Sequence, residues 1–130
     1  MRRNLLIPLI IFSLTILLLS ACSGQTDGAA TAVQAYLDGL VNKDADQVIN
    51  VSCLDWENDA QAEIDAFMTV DAILEDVTCQ ESGSEGDFTL VTCTGNIVFS
   101  YGDENQYLGL EGQTYLTLQE GGEWRMCGYK

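Results

Sequence analysis

Histidine is absent from this 130-residue chain, proline occurs once, and five lysines and arginines stand against 20 aspartates and glutamates. Without histidine the common Ser-His and Cys-His catalytic arrangements are excluded. The cysteines form no close pairs, so a zinc site has no support either. Scarcity of basic residues excludes nucleic acid as a partner, because phosphate binding needs clustered Lys or Arg, and beyond Arg2 and Arg3 only Lys43, Arg125 and Lys130 remain, far apart. The net charge of −15 favours solubility and attracts cations. A calcium loop does not follow: Asp55, Glu57 and Asp59 alternate, but Ala60 and Ala66 stand where an EF-hand needs glycine and glutamate. These acids read as a solvated helix start, and neither metal nor cofactor is expected.

The N-terminus has its own logic. Arg2 and Arg3 precede an apolar run from Leu5 through Leu19, followed by Ser20 and Ala21, which is the pattern of an export signal. At about 15 residues the run falls short of the roughly 20 that cross a bilayer as a helix. Leu19-Ser20-Ala21-Cys22 resembles the bacterial lipobox. That resemblance implies cleavage of residues 1–21, lipid on Cys22, and a membrane-anchored lipoprotein of the cell envelope on the extracytoplasmic side. Residues 22–28 then form the lipidated cysteine and a short polar tether, and residues 29–130 a single small domain.

In the mature part, Val33, Tyr36, Leu37, Leu40 and Val41 recur at helical spacing, predicting a helix over about Gly28 to Val41. Asp44 followed by Gln47 is a capping-box pattern that opens a second helix, to about Cys53. Trp56, Ala60, Ile64, Phe67 and Met68 fall on one face of a third, over Asp55 to Phe67. Beyond Val70 the composition shifts to Thr, Val, Ile, Tyr and Phe. Strands are predicted over Ile73 to Gln80, Phe88 to Tyr101, Tyr107 to Gln119 and Glu123 to Tyr129, divided by Gly-, Asp- and Ser-rich turns. Gly109 and Gly112 mark a bulge or bend inside the third. The fold class is α+β, three N-terminal helices on a curved four-stranded antiparallel meander.

Ala32 to Val51, with Tyr36, Leu37, Leu40 and the turn Lys43-Asp44-Ala45-Asp46, resembles the opening helices of the nuclear transport factor 2-like superfamily. Gly122-Glu123-Trp124-Arg125-Met126-Cys127 resembles its last strand. The resemblance implies a cystatin-like cone in which the sheet wraps the first helix around a pocket, as in ketosteroid isomerases, polyketide cyclases and noncatalytic relatives.

Setting Cys22 aside leaves Cys53, Cys79, Cys93 and Cys127, an even number in an exported domain, which argues for two disulfides. Across the first hairpin Cys79 and Cys93 lie roughly opposite. Cys93 and Cys127 have a strand between them, about 9 to 10 Å in all and beyond the roughly 7 Å limit. Cys53 with Cys127 is the pairing that remains.

Two functions follow. One is a noncatalytic module that binds a small molecule or an envelope protein. If the last hairpin turns through Glu120 to Gly122, Leu116 meets Met126 and Leu118 meets Trp124 on a face directed away from the helices, a candidate homodimer or partner surface. The alternative is an isomerase- or dehydratase-type enzyme using a pocket carboxylate and tyrosine, for which Tyr36 and Asp55 are the available groups. For each of these two residues a structural role, as core tyrosine or helix cap, outweighs a catalytic one, so no catalytic residue is assigned.

Overall fold

The computed structural model describes residues 28–130; the expected leader and Cys22 lie outside the described residues. Helix α1 (Gly28–Asn42) is followed by α2 (Ala45–Asn50), a 3-10 turn (Leu54–Trp56) and α3 (Glu57–Phe67). Strands β1 (Asp71–Glu85), β2 (Phe88–Tyr101), β3 (Glu104–Gly109), β4 (Thr114–Glu120) and β5 (Glu123–Tyr129) complete the chain.

Helix α1 is the core helix, and Ala29, Val33, Tyr36, Leu37 and Leu40 are all buried along it. It stops at Lys43, which takes the left-handed conformation (φ 59°). The N–H of Asp44 then donates to the Gly39 carbonyl at 2.9 Å and that of Lys43 to Leu40 at 3.2 Å, the paired bonds of a Schellman stop. Asp44 at once caps α2, accepting from the Gln47 N–H at 3.0 Å. The Gln47 side chain does not reach back to close the box; it donates to the Ala35 carbonyl and ties α2 to α1. Glu57 and Asp59 occupy the first turn of α3, where the helix dipole favours them. Met68, expected on its buried face, is instead exposed just past the helix end.

All strand pairs are antiparallel and the sheet path is β1-β2-β4-β5, with β3 on β2 as well. The sheet therefore has five strands rather than four. The segment expected as one third strand divides at Leu110 to Gln113, close to where its glycines announced a bend. Each half pairs with a different part of β2: β4 takes Thr89 to Thr92 and β3 takes Asn96 to Tyr101. Between those parts stands Gly95 (φ 97°), opposite an irregularity in β1 between Glu75 and Thr78 where Asp76 also has positive φ. A β-carbon on Gly95 would stand 2.5 Å from the Asp76 carbonyl oxygen, so only glycine allows this approach. The sheet's inner face supplies Val91, Cys93, Ile97, Tyr115 and Met126 to a core shared with α1, Ala60 and Ile64.

The last hairpin corrects the expected partner face. Its turn is the two-residue Gly121-Gly122, both at positive φ (60° and 82°), and Glu120 pairs with Glu123. That turn suits a tight hairpin, whereas the expected register needed a three-residue loop. A one-residue slip moves a whole strand's side chains to the opposite face. Gln119 therefore meets Trp124 and Thr117 meets Met126. Leu116 and Leu118 stay half-buried on the outer side, while Met126 is fully buried and Trp124 packs against the core. These four residues share no surface.

Cys79 stands opposite Cys93 with α-carbons 4.1 Å apart, and Cys53 and Cys127 are 4.9 Å apart, both pairs as disulfides. Beside the second, the edge of β5 is closed by a short parallel bridge. Met126 donates to Val51 at 2.7 Å and accepts from Cys53 at 2.8 Å.

Candidate functional site

Between β3 and β4 the chain leaves β2, and beside this divergent segment a cleft of about 290 Å³ opens between the sheet and helices α1 and α3. That volume lies at the lower end for small-ligand sites. Its walls are apolar: Leu37 from α1, Phe67 from α3, Ile97 and Phe99 from β2, and Leu108 and Leu110 from the divergent segment. Phe67 and Phe99 rest against one another with centroids 5.5 Å apart. Leu108 and Tyr129 are half-exposed at the rim.

One polar cluster interrupts these walls. Glu63 lies on α3 within the stripe that also carries Ala60, Ile64 and Phe67, and it is half-buried. The Tyr36 hydroxyl donates to one of its oxygens at 2.7 Å, and the Tyr129 hydroxyl donates to the other. Trp56 Nε1–H in turn donates to the Tyr36 oxygen at 3.3 Å. Tyr129 is held edge-on between Trp56 and Tyr115, with centroids 5.4 and 6.0 Å away. Burial, followed by the Glu63 charge, pushes the Tyr115 hydroxyl up to about 12. The same two causes drive Tyr36 and Tyr129 well above the ordinary tyrosine range, with their hydrogen bonds to Glu63 acting in the same direction. Three neutral hydroxyls thus surround one carboxylate. Outside the cleft, on the exposed turn between β3 and β4, Glu111 accepts from the Gly95 N–H at 3.1 Å. Hydrogen bonds from its own N–H and from Gly95 hold its carboxyl below the usual carboxylate range.

Of the two residues named from the sequence for pocket chemistry, Tyr36 belongs to the site and Asp55 does not. Asp55 is exposed in the 3-10 turn and does not line the cleft. Glu63, Tyr115 and Tyr129 are the additional members. Glu63 carried a readable signal, since it stands at i+3 from Ala60 and i−4 from Phe67, inside the buried face of α3. The strand tyrosines carried none, because their approach depends on how the sheet closes.

No family model matches the sequence, and no curated protein matches it. Solved structures do share its fold. A candidate dehydratase of the NTF2-like family from Streptomyces avermitilis superposes with a TM-score of 0.55 at 15% identity, over 80% of this chain and 91% of that one. The helical cell shape determining protein Pgp2 from Campylobacter jejuni superposes with a TM-score of 0.51 at 7% identity, over 76% of this chain. The present chain spans 38% of Pgp2's length. At such identities the likeness concerns the fold alone, and it is the nuclear transport factor 2-like fold, an α+β cone with helices held in a curved antiparallel sheet.

Proposed function

We propose that the domain is a noncatalytic small-molecule-binding module, held at the extracytoplasmic face of a bacterial membrane by lipid on Cys22. The observation that carries the binding reading is the cleft beside Glu63, apolar along its walls and polar at one end, the usual composition of a small-ligand site. The noncatalytic reading rests on the engagement of Glu63. Each of its oxygens already accepts from a tyrosine hydroxyl, which commits the single proton of Tyr36 and of Tyr129 to Glu63 while leaving the carboxylate lone pairs for a further donor. An isomerase- or dehydratase-type mechanism would use the Tyr36–Glu63 pair, but it also needs an acid or oxyanion donor facing the substrate, and the Tyr36 and Tyr129 protons are directed at Glu63 instead.

The probe for binding is 2-phenylethanol, neutral and of fitting size. In the full-length protein carrying Trp124→Phe, so that Trp56 reports alone, it should change the emission saturably. Ala66→Phe, which adds a ring at the exposed rim of the cleft, should abolish the change. A strictly linear response in the unblocked protein would end the binding reading. The anchor has a separate test. Wild-type protein should enter the detergent phase on phase separation, and Cys22→Ala should either remain an unprocessed precursor or become soluble. Mature-sized Cys22→Ala protein that still partitions like wild type would remove lipidation.

A further inference from the structure

Glu63 carries a charge that no basic side chain among the described residues pairs with. The three basic side chains of the described residues are all engaged elsewhere: Lys43 with Asp71, Arg125 with Glu123, and Lys130 with Glu85. No lysine or arginine lines the cleft. Tyrosine donors solvate the carboxylate but leave its charge in place, and a charge-assisted hydrogen bond to a cation is the strongest contact that a partly desolvated carboxylate can add. Around it the cleft presents Tyr36, Phe67, Phe99, Tyr115 and Tyr129, rings whose faces attract cations.

From this juxtaposition we infer that the cleft takes an organic cation, an ammonium group on an apolar body, with the ammonium against Glu63 and the surrounding tyrosines and the body along Phe67, Phe99 and Leu108. The inference rests on the binding reading above and adds the charge of the ligand. A neutral ligand would fill the apolar walls and leave Glu63 uncompensated. An anion would face both Glu63 and a molecule of net charge −15. An ammonium meets the one unpaired charge of the site, and the acidic surface raises its local concentration before it enters.

Three probes of nearly equal size separate the cases: 2-phenylethylammonium, 2-phenylethanol and 3-phenylpropionate, titrated into the full-length protein at 0.15 and 0.5 M NaCl. The ammonium should bind about tenfold more tightly than the alcohol, and the carboxylate more weakly than either. The preference should persist at the higher salt, where attraction to exposed acids is largely screened. Glu63→Gln should bring ammonium and alcohol to parity while the alcohol still binds. Equal binding of alcohol and ammonium to the wild type would overturn the cation inference and leave the binding reading standing. No saturable binding of any probe would overturn both. A preference that vanishes at 0.5 M NaCl, or survives in Glu63→Gln, would place the cation on the general acidic surface and also overturn the inference. The wild-type comparison decides the case even if the variant is unstable.

Discussion

Glu63 and the hydroxyls around it set two expectations at the scale of single residues. Tyr36 is both donor to Glu63 and acceptor for the Trp56 indole, so Tyr36→Phe removes one bond from a partly buried carboxylate and leaves an N–H without its acceptor. Losing one side of such a network costs about 1–3 kcal/mol. Urea denaturation should show a loss in that range, and an unchanged midpoint would mean that water replaces the hydroxyl at no cost. The second expectation concerns pH. Tyr115 has an ordinary value of 10.0 in the unfolded chain and is raised to about 12 in the fold, with Tyr36 and Tyr129 raised in the same direction. The unfolded state therefore releases these protons first as pH rises, so the associated stability is fully present below pH 10 and is lost on the way through 12. Urea midpoints should be level from pH 8 to about 9.5 and fall beyond it. With the two exposed tyrosines removed by Tyr101→Phe and Tyr107→Phe, tyrosine absorbance should rise together with unfolding rather than ahead of it. Ionisation of all five tyrosines near pH 10 in a still-folded protein would contradict the enclosure of the hydroxyls.

At the scale of elements, Gly95 decides the shape. It lets β2 change partners from β4 to β3, and its N–H and C=O are both taken by the divergent segment, through Glu111 and Leu110. Gly95→Ala should cost more than the roughly 1 kcal/mol of a left-handed alanine, because the added carbon would stand 2.5 Å from the Asp76 carbonyl oxygen and the β1 backbone would have to shift. Gly102→Ala is the control, with a similar positive φ of 62° and nothing within 4 Å of the added carbon. Denaturation midpoints should separate the pair by about 2 kcal/mol or more, and equal midpoints would show that β1 yields at Asp76. The helices were legible in the sequence because their signals are local: the apolar spacing of α1, Asp44 three residues before Gln47, and Trp56, Ala60, Ile64 and Phe67 in one stripe. The first hairpin was legible for the same reason. Gly95 was not, since a single glycine within an apolar strand does not reveal which backbone approaches it. The last hairpin was misread by one residue, because Glu120-Gly121-Gly122 fits a three-residue loop as readily as Gly121-Gly122 fits a two-residue turn, and that residue moved Trp124 and Met126 into the core. In the cleft, Tyr36 was legible from its helix, while Tyr115 and Tyr129 reach Glu63 only through the closed sheet.

At the scale of the whole molecule, two cysteine pairs hold the cone together in different ways, and their loss separates them. Cys79 and Cys93 join neighbouring strands 14 residues apart in sequence, whereas Cys53 and Cys127 join the end of the helical layer to the last strand across 74 residues. In the chain-entropy model the shorter loop contributes about 3 kcal/mol and the longer about 4 to 5. A domain of this size has only about 5–15 kcal/mol in total. Paired serine substitutions should therefore lower stability in that order, with Cys53→Ser/Cys127→Ser the more damaging, because it also frees the Val51 to Cys53 segment that closes the β5 edge. Removing both pairs should leave little folded protein at 37 °C. Nonreducing peptide mapping of the protein should recover Cys53 with Cys127 and Cys79 with Cys93. Finding Cys93 joined to Cys127 would require β2 and β5 to be neighbours, which an intervening β4 forbids, so that map would overturn the strand order and with it the cleft. Four free thiols would spare the strand order but contradict the extracytoplasmic location proposed for the domain.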